Sequence, residues 1–242
     1  MGEMVVVHAG EEPPGTWQAS MFLAGPMPRD PDIPSWRPDA LDSLRAAWTA
    51  PGALVVFVPE ARDRHNPTPG YVSQLWEERW MAVVDVMLFW VPRDMTTLPG
   101  LNTNLEFGRN EATGRIVLGV PPHAVSVHYL RRAAETHGAP VRESLHDTVL
   151  AALSLVGEGA SRSGPDRDVP LLIWRTEAFQ KWRRAVTGEL AGARLLWAWS
   201  PGPSFRLQMW ALRADVVRPD VLTSEVVTCH PGAHEVLISP IP

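Results

Sequence analysis

The first two-thirds of the chain alternate short apolar runs with stretches of helical periodicity, the pattern of βαβ units on a parallel sheet. Residues 21–25 (MFLAG) predict a first strand that stops at Gly25-Pro26. Pro38 then opens PDALDSLRAAW, where Leu41, Leu44 and Trp48 recur at helical spacing. A turn at Pro51-Gly52 leads to a second strand over 53–58 (ALVVFV), followed by a polar, proline-bearing loop over 59–70. Residues 72–84 read as a helix with Trp76, Trp80 and Val83 on one side. Residues 85–91 (DVMLFWV) are apolar after Asp85 and predict a third strand covered on both faces. A helix over 103–113 stopping at Gly114, a fourth strand over 115–120, a helix over 125–136, a short fifth strand at 140–141 and a helix over 144–156 complete the series.

The rhythm breaks at 157–169 (GEGASRSGPDRDV), which has little apolar content and predicts an exposed linker. The expected division is a catalytic α/β domain over 1–157, a linker over 158–169 and a small α+β accessory domain over 170–242. In the last part, Phe179, Trp182, Val186 and Leu190 mark an amphipathic helix. Residues 193–199 and 205–217 around a PGPS turn suggest a hairpin, and 225–229 and 235–238 suggest short strands. Trp residues fall in both halves, so both are expected to have packed cores.

Charge and motif content narrow the function classes. With 22 basic and 27 acidic residues the formal net charge is -5, and the basic residues are scattered, which argues against nucleic acid or a membrane surface as partner. A single cysteine, Cys229, excludes an intrachain disulfide. No apolar run has the length of a membrane helix and the first residues lack a signal-peptide plan, so a cytoplasmic protein is expected. The histidines form no HxxxH or HxH pattern and there is no CxxC, so no metal is expected. GxSxG, GxxxxGK[ST] and GxGxxG are absent.

In an open parallel sheet, ligands bind beyond the carboxyl ends of the strands where the order reverses, which points to the loops at 25–36 and 92–104. The second ends in NTNLEFG, placing Glu106 in the expected first turn of a helix, where the macrodipole and free N–H groups favour an ionised carboxylate. An ionised carboxylate suits a nucleophile in glycosyl transfer; the plain alternative is a capping glutamate. Gly108 is expected to let that helix approach the sheet. Glu77 shares a face with Trp80, Met81 and Val84, and an apolar neighbourhood would make it hold a proton, as an acid must. Its alternative is a surface glutamate paired with Arg79 or Arg93, with Glu78 a rival for either role.

FLAGP (22–26), SWRPDAL (35–41), VPE (58–60), WE (76–77), an Asp85-to-Arg93 stretch of form D-x4-W-x-PR, and TNLEFG (103–108) occur in this order. Together they resemble the nucleoside 2-deoxyribosyltransferase-like family over about residues 4–156. The resemblance implies a flavodoxin-like, doubly wound five-stranded parallel sheet acting on a nucleoside or nucleotide. It places the nucleophile on Glu106 and the acid/base carboxylate on Glu77, and implies no cofactor. Phe22, Gly25, Pro26, Arg37, Asp85, Arg93, Asn102 and Asn104 are the implied substrate-binding positions, Asp85 mainly structural. Phe22 stands where relatives often carry a Tyr, and Gly100, Asn102 and Asn104 occupy a stretch where many carry an acidic residue. The expected reaction is cleavage or exchange of an N-glycosidic bond of a nucleoside or nucleoside monophosphate, by a homodimer or larger homo-oligomer. Two alternatives remain open: an NAD-type glycohydrolase, for which Arg29, Arg37 and Arg93 are candidate phosphate ligands, and an inactive nucleotide sensor.

Overall fold

A computed structural model describes residues 2–65, 70–177, 179–181, 183–184 and four C-terminal strands. Its centre is a six-stranded parallel sheet of β1 (Glu3–His8), β3 (Ala19–Ala24), β4 (Ala53–Val58), β5 (Val86–Trp90), β6 (Ile116–Gly119) and β7 (Val141–Arg142), in the order β1-β4-β3-β5-β6-β7. Five of these strands coincide with those read from the sequence to within two residues at each end. The sixth, β1, was not anticipated. It is an edge strand with only Val7 fully buried, so its apolar run is short and its pattern weak.

The strands are apolar on both faces because both faces are covered. Phe22, Ala24, Val55, Phe57, Met87, Phe89, Ile116 and Leu118 face one core. There they meet Trp76, Trp80, Met81 and Val84 from α2 (Gly70–Val83) and its C-terminal end, Phe107 from α3 (Leu101–Asn110), and Leu130 and Ala134 from α4 (His128–Thr136). The alternate residues Met21, Leu23, Leu54, Val56, Val86, Leu88 and Val117 face the other core, with Ala40 and Leu44 from α1 (Arg37–Ala47) and Val149, Ala152 and Val156 from α5 (Leu145–Val156). This is the period-two alternation of a strand, hidden in the sequence because both sets are apolar.

The expected linker is a correction. Residues 158–169 are fastened to the sheet domain. β8 (Arg162–Ser163) pairs antiparallel with β2 (Thr16–Trp17), and Ala160 N–H donates to Gln18 O at 2.8 Å. A 3-10 turn over Gly164–Asp168 follows, in which Arg167 donates to Pro14 O at 2.7 Å and stacks over the Trp17 ring. The short helix α6 (Leu171–Trp174) then returns Leu171 to the core. The segment looked like a linker because its anchors are arginines, whose burial depends on partners remote in sequence.

Among the described residues of the C-terminal part, β9 (Ala193–Trp199), β10 (Phe205–Ala211), β11 (Thr223–Cys229) and β12 (Val236–Pro240) form an antiparallel sheet in the order β12-β11-β10-β9. The expected hairpin is β9 and β10. Residues 182 and 186–190 of the expected amphipathic helix, the PGPS turn and residues 212–217 lie outside the described residues. No helix among the described residues is long and apolar enough to cross a membrane.

Candidate active site

The order of strands reverses between β3 and β5, so the loops leaving those two strands lie side by side. They are in direct contact: Arg29 N–H donates to Thr97 O at 3.0 Å, and Pro26 packs against Gly100. Glycine is required at both seams. Gly25 has φ 141° and a Cβ there would run into the Trp90 carbonyl; Gly100 has φ 55° and its Cβ would sit 2.6 Å from Pro26 Cγ.

Two arginines hold this framework, and both are buried in it rather than open to the cleft. Arg37 is 1% exposed. Its Nε donates to Leu23 O at 3.2 Å, Nη2 to Gly25 O at 3.0 Å, and Nη1 to Pro26 O at 3.4 Å and Glu60 Oε1 at 2.5 Å. The guanidinium is thus taken up by the end of β3, the loop after it and a carboxylate two residues beyond β4. Arg93, 3% exposed, donates to Ser126 O at 2.8 Å, Gly100 O at 3.1 Å and Asn104 Oδ1 at 2.7 Å. It ties the loop after β5 to the start of α3 and to Ser126, a non-glycine residue at φ 54°. Of the three arginines considered for phosphate, only Arg29 has an exposed side chain.

Glu106 is in the second turn of α3, not the first, because the left-handed Gly100 starts the helix two residues earlier than expected. The macrodipole argument for a readily ionised carboxylate therefore fails, and the electrostatics run the other way. Burial and the nearby Glu77 charge push the Glu106 carboxyl up from 4.5 to about 7, against the pull of Arg37 and Arg109. Glu77 is also raised, by burial first, opposed by a 3.0 Å hydrogen bond from Ser73 Oγ and by the Arg37 charge. Two half-buried carboxylates on α2 and α3 thus feel one another and share one buried cation. Glu106 is pushed up to about 7 with the Glu77 charge among the causes, so the two ionise as a coupled pair that can hold a single proton near neutral pH.

The alternatives for Glu77 are decided by its neighbours. Glu78 is exposed and takes Arg109 at 3.0 Å, while Arg79 lies 3.7 Å from Glu12. Arg93 is committed elsewhere. Glu77 therefore has no ion-pair partner among the described residues. Asn102 and Asn104 are exposed at the start of α3, Asn102 one turn before Glu106 on the same face.

Phe22 and Asp85 lie away from the carboxylate pair, Asp85 in the structural role expected of it. Phe22 is 1% exposed and packs on Trp76 at 6.1 Å between ring centroids, so it supports α2 from within the core. Asp85 sits at the amino end of β5, opposite the site, and both its oxygens are taken by Ser20, Arg162 and Leu171. Gly108 faces open space, so the helix does not use it to approach the sheet. Ser73 and Glu60 were missed as members of the site. Glu60, placed directly after an apolar strand, carried a usable signal; Ser73, one helical turn before Glu77, carried a weaker one.

Among the described residues no three His, Cys, Asp or Glu side chains are grouped to hold a metal ion. Comparison with family models finds no match, and comparison with curated proteins finds none.

Proposed function

We propose that this protein cleaves or exchanges the N-glycosidic bond of a nucleoside through a glycosyl ester on Glu106, with Glu77 as acid and base. Leaving β1 aside, the strands follow the order 2-1-3-4-5, which we read as a flavodoxin-like sheet with one added edge strand. The observation that carries the reading is the coupled pair Glu77 and Glu106, placed next to the two loops at the strand reversal.

A pair holding one proton matches what the reaction needs. Positive charge building at C1′ stabilises the ionised form of the carboxylate beside it, so the shared proton is held on Glu77 as the transition state is approached. Glu77 delivers that proton to the departing base nitrogen while the C1′–N bond breaks. An oxygen of Glu106 bonds to C1′. In the second half Glu77 takes a proton from water, or from an incoming base, which displaces Glu106 from C1′ and restores the pair. No cofactor is needed for this sequence.

Arg37 and Arg93 are turned into the fold, which favours an unphosphorylated nucleoside over a nucleotide or a dinucleotide such as NAD. Arg29 is the group that a phosphorylated substrate would still find. Phe22, buried where relatives often carry a Tyr, supports the second reading, a module that binds nucleosides without turning them over.

The test is incubation of the full chain with a panel of nucleosides and their monophosphates, with free base read by chromatography. Base release that Glu106→Gln abolishes is the expected result. Binding by calorimetry without release supports the sensor reading, and neither binding nor release overturns both.

A further inference from the structure

We propose that Arg37 is the positioning residue of the carboxylate pair: anchored by Glu60, it fixes the loop at Leu23–Pro26 and supplies the buried positive charge that Glu77 and Glu106 face. This rests on the reading of those two glutamates as the reacting groups, but it concerns a residue that touches no substrate.

The geometry is that of a clamp. Four hydrogen bonds from one guanidinium hold three backbone carbonyls between Leu23 and Pro26 and one carboxylate. Trp36, whose ring lies 4.5 Å below the guanidinium carbon, closes the same loop by donating to Pro26 O at 3.1 Å. Glu60 is itself held by Ser35 Oγ at 2.8 Å, with Arg64 at 3.9 Å. Both glutamates are within electrostatic reach of Arg37. An arginine this buried stays charged because its partner is fixed, so the site has one immobile cation where charge changes during the reaction.

A clamp alone and a clamp that also sets the field make different predictions. The charged groups acting on Glu106 are Glu77 from α2, Arg37 from α1 and Arg109 from its own helix; those acting on Glu77 are Arg37 and Glu78, with Ser73 bonded to it. Removing the charge in Arg37→Gln must raise the titration midpoint of Glu106. Removing the countercharge in Glu60→Gln, which keeps an oxygen acceptor for Arg37, must lower it. Opposite shifts from two residues in one ion pair are not produced by loosening of the fold.

The experiment is a carbon-13 titration of glutamate carboxyl groups in the full chain, with the Glu106 signal assigned by its loss in Glu106→Gln. The expected shifts are upward by roughly one pH unit in Arg37→Gln and downward by less in Glu60→Gln, which lies farther from Glu106 and acts by unmasking the Arg37 charge. If Arg37→Gln does not fold, Glu60→Gln decides alone. A midpoint unmoved in Glu60→Gln, or shifted upward, overturns the proposal. No substrate is involved, so a protein that titrates as expected but releases no base defeats the functional reading and leaves this one standing.

Discussion

Arg162 reaches across 77 residues of chain to grip Asp85, its Nη1 at 2.7 Å from one carboxylate oxygen and its Nη2 at 2.5 Å from the other. Both side chains are buried, and the backbone N–H of Leu171 and the Ser20 amide and hydroxyl fill the remaining acceptor sites of Asp85. One carboxylate at the foot of the central strand therefore binds the whole segment that follows α5. A buried pair with all its lone pairs occupied is expensive to break from one side.

Arg162→Met should therefore destabilise the protein by about 3–5 kcal/mol, because it leaves the Asp85 carboxylate buried without its cation. Urea unfolding measures the loss. Limited proteolysis supplies the second check: the wild type should resist cutting within residues 157–169, and the variant should be nicked there. A variant as stable and as resistant as wild type would mean that the segment is held by β2 and β8 alone.

Glu106 predicts a pH-dependent stability with a definite sign. Below about pH 4.5 the carboxyl is protonated in both folded and unfolded chains and costs nothing. As pH rises toward 7 the unfolded chain releases the proton and the folded one keeps it, so folding becomes less favourable; the loss is complete above the folded value of about 7. Glu106→Gln removes this loss. It should match wild type in acid and exceed it at about pH 8 by at most roughly 3 kcal/mol, less whatever solvent screening removes from a half-buried group. Denaturant midpoints at the two pH values test it, and equal pH slopes for the two proteins would refute it.

Glu77 should reveal itself through the leaving group. If it protonates the departing base, Glu77→Gln slows nucleosides with poor leaving groups most and nearly spares those with activated ones. The variant should also lose one limb of the pH–rate profile, the one in which activity falls as the pair gives up its last proton. Single-turnover rates over a series of bases of graded basicity make the comparison. Equal slowing across the series would assign Glu77 to positioning instead.

Two glycines that look alike in sequence should respond oppositely to alanine. Gly25→Ala forces a side chain at φ 141° against the Trp90 carbonyl and should cost about 1–3 kcal/mol, with the loop after β3 displaced. Gly108→Ala adds a methyl group in open space within a helix and should gain about 0.5–1 kcal/mol. Thermal unfolding of both variants tests the pair, and a destabilised Gly108→Ala would show that this position is covered by something other than solvent.

Local pattern alone determined the repeating strand-helix order, because apolar runs such as ALVVFV and VMLFW leave a strand buried on both faces few other places to go. It also marked Glu77 and Glu106, since each is a carboxylate among apolar helical neighbours or polar helix-start residues. Tertiary structure decided the rest. Whether Arg37, Arg93 and Arg162 meet a ligand or a carbonyl depends on what lies opposite them after folding, and an arginine carries the same sequence signal in either case. The ionisation of Glu106 was likewise invisible, because one left-handed glycine moved the helix start and a glutamate on another helix supplied the opposing charge. Strand and helix periodicity is a property of neighbours along the chain, whereas burial, countercharge and pKa are properties of neighbours in space.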